Sequence, residues 1–316
     1  MGVDDFITYV TLRRASFVHY RLPSLQSLTV FPFRPHTAFT TYVSPSKHLS
    51  YWCRPHTSNA TLPVLFLHGI GAGLRTYSGF LRDVVEKDVA NDGQTGIIAI
   101  EIMPISMRIT RGALPRREML AELLSILVHH RWDKFVVAAH SYGTILATHL
   151  LQIPETRDRV SSMLLIDPVT VAIHWGGVPY NFLYRPPRMA SEWQLHYFAS
   201  TDMGVAHALT RRFDWSENVL WKDEMRGRRI TVVLGGKDII LDSHAVRKYL
   251  MDDPELDAEF VDSRSYSVER SDSKKSRDMR LVWYDHCNHA GMFDTAIDWE
   301  PLVDELLRHC SIVKPD

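Results

Sequence analysis

Short apolar runs without alternation recur along the chain, at residues 64–67, 96–102, 135–139, 163–166, 230–234 and 281–284. A strand with one wet face alternates apolar and polar positions, so a run apolar throughout predicts a strand buried on both faces, as in a parallel sheet. Between the runs lie helical patterns. The clearest has Met119, Leu120, Leu123, Leu124, Leu127 and Val128 at three- and four-residue spacing after Pro115, the stripe of an amphipathic helix. Residues 77–89, 142–152, 243–251 and 298–309 are also read as helices. Strands taking turns with helices of this length predict right-handed crossovers and an α/β fold with a doubly wound, mostly parallel sheet. Residues 40–54, strand-like on both sides of Ser44-Pro45-Ser46-Lys47, predict an antiparallel hairpin leading into that sheet.

One connection breaks the rhythm. Residues 169–228 are far longer than an ordinary loop and carry Trp175, Trp193, Trp215 and Trp221, which predicts a folded helical cap inserted after the sixth core strand. The expected organisation is an extension over 1–39, a core of 40–168 with 229–316, and the cap between them. The polar stretch 262–278 reads as a surface loop.

Composition narrows the classes. A hydrophobic fraction of 45% with 23% charged residues is that of a globular, core-building chain. The formal charge of −1 gives no broad attraction to nucleic acid or to an anionic membrane. Cys53, Cys287 and Cys310 are too few and scattered for a disulfide framework. The first residues carry Asp4 and Asp5 where a secretory leader is basic, Phe6 stands where a myristoylation motif needs Ser or Thr, and no apolar run is long enough to span a bilayer. The expectation is a soluble, cytoplasmic protein whose first 40 residues, mixed and aromatic, leave room for contact with a membrane or partner.

The chemistry gathers at strand ends. Phe135-Val136-Val137-Ala138-Ala139-His140-Ser141-Tyr142-Gly143 is a buried strand running into a helix through a serine. A nucleophile elbow needs small residues two before and two after that serine, and Ala139 and Gly143 meet the need. Ser141 would project its hydroxyl above the sheet, with the Tyr142 N–H facing a developing oxyanion. Pro63-Val64-Leu65-Phe66-Leu67-His68-Gly69-Ile70-Gly71-Ala72-Gly73 is a second strand, opening into a glycine-rich turn that would aim the Ile70 N–H at the same place. The spacing of its glycines fits neither a phosphate loop nor a dinucleotide fingerprint. His68 reads as a structural residue of the turn.

His68-Gly69-Ile70-Gly71 followed by Ala139-His140-Ser141-Tyr142-Gly143 resembles the α/β-hydrolase superfamily, and the match of motif order runs from about Thr40 to the C-terminus. Ser50-Tyr51-Trp52 and the 65–71 segment resemble fungal members, a likeness that brings a fold and no defined substrate. The resemblance implies an acid after a later strand and a histidine after the last, in the order Ser, Asp, His. Asp238, after Gly235-Gly236-Lys237, fills the first place, with Asp167 of Leu164-Leu165-Ile166-Asp167-Pro168 as its rival. His289, followed by Ala290-Gly291, fits the second place better than His286. A metal reading of His286, Cys287 and His289 lacks a second cluster at zinc spacing.

The expected activity is that of a serine hydrolase, needing no cofactor or metal, that cleaves an ester, lactone or related acyl bond of a hydrophobic small molecule. Trp175, Tyr180 and Phe182 of the cap are the expected pocket residues, unless the cap aromatics form its own core. The same triad also serves C–C cleavage or lyase chemistry and biosynthetic enzymes acting on tethered esters, and the fold serves catalytically silent binding proteins.

Overall fold

A computed structural model describes residues 2–23, 30–32, 34, 40–91, 93–256, 258–264 and 279–312. Ten strands form one sheet: β1 (Val18–Arg21), β2 (Tyr42–Val43), β3 (Ser50–Arg54), β4 (Val64–Leu67), β5 (Ile97–Glu101), β6 (Phe135–His140), β7 (Val160–Ile166), β8 (Arg229–Gly235), β9 (Glu259–Asp262) and β10 (Met279–Tyr284). Their order is β2-β1-β3-β5-β4-β6-β7-β8-β10-β9, and every neighbouring pair is parallel except those that β3 makes with β1 and β5. Successive side chains of a strand point to opposite faces. Leu65, Leu67, Val137, Ala139, Leu165 and Val232 therefore enter one core, and Val64, Phe66, Val136, Ala138, Leu164 and Val233 the other. Two cores explain why the runs are apolar at nearly every position, Glu101 and Thr231 excepted.

Helices cover both faces. On the first lie α3 (Arg116–His129), α4 (Gly143–Gln152) and α6 (Ser243–Met251), through Leu123, Leu127, Leu146, Leu150, Val246 and Leu250. On the second lie α1 (Gly2–Arg14), α2 (Ser78–Ala90) and α7 (Ala296–Cys310), through Leu12, Leu81, Val84, Leu302 and Leu306. Residues 169–228 between β7 and β8 form a succession of short helical segments, of which α5 (Met203–Arg211) is the longest.

Two expectations are corrected. The segment expected as an N-terminal extension supplies α1 and β1 to the body of the fold. His19 of β1 is buried with its Nε2 3.0 Å from the Glu101 carboxylate, which also accepts from Ser50 Oγ at 2.6 Å. With β1 counted, the long insertion follows the seventh strand. Nor do residues 40–54 pair as a hairpin, because β1 lies between β2 and β3. The turn before β3 is closed by side chains instead: Ser44 Oγ donates to the Leu49 carbonyl (2.7 Å), and the Lys47 N–H donates to Glu122 (2.7 Å). Of the polar stretch expected as a surface loop, residues 265–278 lie outside the described residues.

Candidate active site

Five adjacent parallel strands, β4, β6, β7, β8 and β10, end on one rim of the sheet, and the turns beyond them carry Ile70, Ser141, Asp167, Asp238 and His289 respectively. Neighbouring strands lie about 4.8 Å apart, so groups distant in sequence meet here.

The elbow follows from close packing. Ser141 takes the left-handed conformation, φ 49°, and its N–H donates to the Ile166 carbonyl (2.9 Å) at the end of β7. Gly143 begins α4 against β4; a Cβ there would sit 2.1 Å from the Leu67 carbonyl oxygen. Ala139 is fully buried between Leu67 and Leu165 of the flanking strands.

His289 bridges the other two groups. Its Nδ1 lies 2.6 Å from Asp238 Oδ2 and its Nε2 2.8 Å from Ser141 Oγ. A carboxylate only accepts, so Nδ1 carries the proton and the Nε2 lone pair faces the serine hydroxyl. Asp238 is held in turn by the N–H groups of Ile240 (2.7 Å) and Leu241 (2.9 Å). Burial favours the neutral imidazole, but the Asp238 carboxylate and its hydrogen bond, helped by Asp167, outweigh it and raise the His289 pKa above the ordinary 6.5.

The rivals stand elsewhere. His286 is exposed and pairs with Asp298 (2.8 Å) at the start of α7. Asp167 is fully buried, 4.0 Å from His289 Nδ1, and its oxygens accept from the Gly235 N–H (3.0 Å) and the Ala290 N–H (2.9 Å). With His289 turned to Ser141 and Asp238, the grouping of His286, Cys287 and His289 is not assembled. The ligand atoms of His286, Cys287 and Asp298 do lie within 4.8 Å of one another.

The glycine turn after β4 is fixed by His68. Its Nε2 accepts from the Ile102 N–H (2.9 Å), so Nδ1 carries the proton and donates to the Gly69 carbonyl (2.7 Å). Burial pushes its pKa down to about 4, which keeps the ring neutral. In a planar trans peptide the C=O and the following N–H point in opposite directions. Holding the Gly69 carbonyl on His68 thus turns the Ile70 N–H away from His68, and Ile70 lines the cavity beside Ser141. Among the described residues neither the Ile70 nor the Tyr142 N–H has a protein acceptor.

No family model matches the chain, and no curated protein matches it. Solved structures do. A membrane phospholipase A described as a bacterial virulence factor aligns over 97% of this chain and 90% of its own, at 13% identity and a TM-score of 0.55. A thermophilic esterase from Thermogutta terrifontis aligns over 82% and 93%, at 14% identity and a TM-score of 0.50. The 2-hydroxy-6-oxo-6-phenylhexa-2,4-dienoate hydrolase of Rhodococcus sp. strain RHA1 aligns over 83% and 94%, at 13% identity and 0.50. The chain has the α/β-hydrolase fold.

In this α/β-hydrolase fold the insertion lies over the rim and leaves a half-open cavity beside Ser141. Ile70, Ile145 and Ile240 line it from the core, and Val178, Phe182, Leu209 and Phe213 from the insertion. Of the three expected pocket residues only Phe182 is there. Trp175 is 40% exposed and packs edge-on against Tyr249; Tyr180 is 54% exposed. The insertion turns most of its large aromatics outward, including Tyr184, Trp193, Tyr197 and Phe198, so they build neither the pocket nor a core of their own. Short helices leave Val178, Leu209 and Phe213 without a long periodic stripe, and they were missed for that reason. No helix among the described residues is long and apolar enough to cross a membrane.

Proposed function

We propose that this protein is a serine hydrolase that cleaves a carboxylic ester or related acyl bond of a hydrophobic small molecule through an acyl-enzyme on Ser141. The observation that carries the reading is the unbroken hydrogen-bond path from Asp238 through His289 to the Ser141 hydroxyl at the wall of an apolar cavity. The esterase and the hydrolase among the solved structures of this fold support it.

Asp238 orients His289, and His289 takes the Ser141 proton as Oγ attacks the acyl carbon. The carbonyl oxygen becomes an oxyanion facing the Ile70 and Tyr142 N–H groups, pre-set donors that need no reorganisation as charge develops. Protonated His289 returns the proton to the leaving group. Water, deprotonated by the same imidazole, then releases the acid and restores Ser141. The residues of the long insertion act as a cap that surrounds the acyl chain with aliphatic and phenyl side chains.

A fluorophosphonate probe followed by peptide mapping tests the reading. Ser141 is expected to carry the adduct, and Ser141→Ala to lose both labelling and turnover of p-nitrophenyl esters. An unlabelled wild-type protein, or an unaffected Ser141→Ala variant, would sink the proposal.

A further inference from the structure

Behind Ser141 runs a second polar chain that the acyl-transfer steps do not use. The Gly69 N–H donates to Tyr77 Oη (3.0 Å), and Tyr77 Oη lies 2.8 Å from His140 Nδ1. His140 Nε2 lies 3.7 Å from Asp167 Oδ2. All three side chains are buried: Tyr77 is 3% exposed, His140 2% and Asp167 0%.

The proton positions follow from the partners. If Tyr77 gives its proton to Nδ1, the His140 Nε2–H faces the Asp167 carboxylate, an attraction; the other tautomer would set a lone pair against a negative charge. The hydrogen-bonded chain therefore runs from the Gly69 N–H through the Tyr77 hydroxyl to His140, and His140 faces Asp167 across 3.7 Å, an electrostatic contact longer than a hydrogen bond. Packing reinforces it. A Cβ on Gly69 would meet His140 Nδ1 at 2.7 Å, and Phe293, just beyond the histidine turn, packs edge-on against both Tyr77 and His140.

Each end of the chain holds part of the site. At one end the peptide before Gly69 is tied down next to the peptide that carries the Ile70 N–H. At the other, Asp167 grips the Gly235 N–H at the start of the turn bearing Asp238, and the Ala290 N–H directly after His289. We propose that Tyr77, His140 and Asp167 are positioning residues that keep the oxyanion turn in register with the turns carrying the acid and the base. This rests on the hydrolase reading, because it assigns the Ile70 N–H to the oxyanion.

A double-mutant cycle on a long-chain p-nitrophenyl ester tests it, with thermal unfolding and fluorophosphonate labelling in parallel. Tyr77→Phe is expected to lower kcat about 10- to 100-fold with KM within about twofold, as for a displaced transition-state donor. Asp167→Asn should lower kcat at least as much. It should also move the acid limb of the kcat/KM profile to lower pH, because the groups facing His289 are Asp238, Asp167, His140 and Ser141, and one negative charge has gone. Members of one chain are not additive, so the double variant should lose no more than the worse single. Losses that multiply in the double variant, or an unchanged kcat in folded Tyr77→Phe, would overturn the proposal. If Asp167→Asn does not fold, His140→Ala replaces it in the cycle with the same expectation for kcat. A wild-type protein that neither labels nor turns over would remove the hydrolase reading and this one together, whereas a labelled wild type with an insensitive Tyr77→Phe removes only this one.

Discussion

A methyl group at position 143 has nowhere to go, since the atom 2.1 Å away is a backbone oxygen of β4 and not a side chain that can swing aside. Gly143→Ala is expected to lower stability by about 3 kcal/mol, the range of an overpacked core site, read from the denaturant midpoint. For His289 the prediction concerns pH. Its pKa is raised, so the unprotonated base forms only as pH climbs past that value, and the acid limb of kcat/KM for an uncharged ester should lie above 6.5. A limb below 6.5 would contradict the pairing with Asp238. Asp238→Asn, which spoils the tautomer, should reduce kcat by about 10,000-fold, and more than Asp167→Asn does. Ser141 stood out in the sequence because an elbow needs small neighbours at fixed spacing. Sequence order alone could not separate His289 from His286, though the small Ala290-Gly291 pair favours His289; in space His289 meets Asp238 and Ser141, while Asp298, at the start of α7, engages His286.

The strands that carry the site were legible as elements because burial on both faces leaves a chemical mark at every position. β1 left none: Val18-His19-Tyr20-Arg21 reads as polar, and its burial depends on Glu101, 82 residues away from His19. The pairing of β2 with β1 is non-local in the same way. The helix α7 illustrates how a buried charge can anchor an element. Glu305, 1% exposed, accepts from Thr231 of β8 and pairs with Arg280 of β10 (3.2 Å) and with Arg308. Burial by itself would raise its pKa, yet Arg308, His309 and Arg280 outweigh that and bring it down to about 2 from 4.5. A depressed carboxylate stabilises the fold above its unfolded pKa and loses that contribution as pH falls. Glu305 should therefore support α7 fully above about pH 5 and progressively less between about 4.5 and 2. Glu305→Gln is expected to lower stability at pH 7 by about 1.5–3 kcal/mol, as for a lost charged hydrogen bond, with a smaller difference from wild type at pH 3. An equal difference at both values would count against the role.

At the scale of the whole molecule, core and insertion together make the cavity, and neither lining is complete alone. Its walls are aliphatic and phenyl beyond Ser141 and Tyr142, so each methylene of an acyl chain that enters gains about 0.8 kcal/mol, roughly fourfold in kcat/KM. Activity on p-nitrophenyl esters should rise from acetyl toward longer acyl chains until the cavity is full; a preference for acetyl would contradict that shape. The tryptophans of the insertion drew attention in the sequence by size, yet which of its side chains turn inward is decided by how short helices lie on the rim, a matter no local pattern encodes. One last feature bears on how the protein could be altered. Ser141, Asp167 and Ala290 all hold φ values of 42° to 66° that only glycine adopts freely, and each such residue stores about 1–3 kcal/mol. Selection for heat resistance alone would relax these positions early, because relief there is available at a single residue. A variant relaxed at Ser141 is expected to be sturdier and inert, so any screen for a hardier form of this protein has to read turnover at every round.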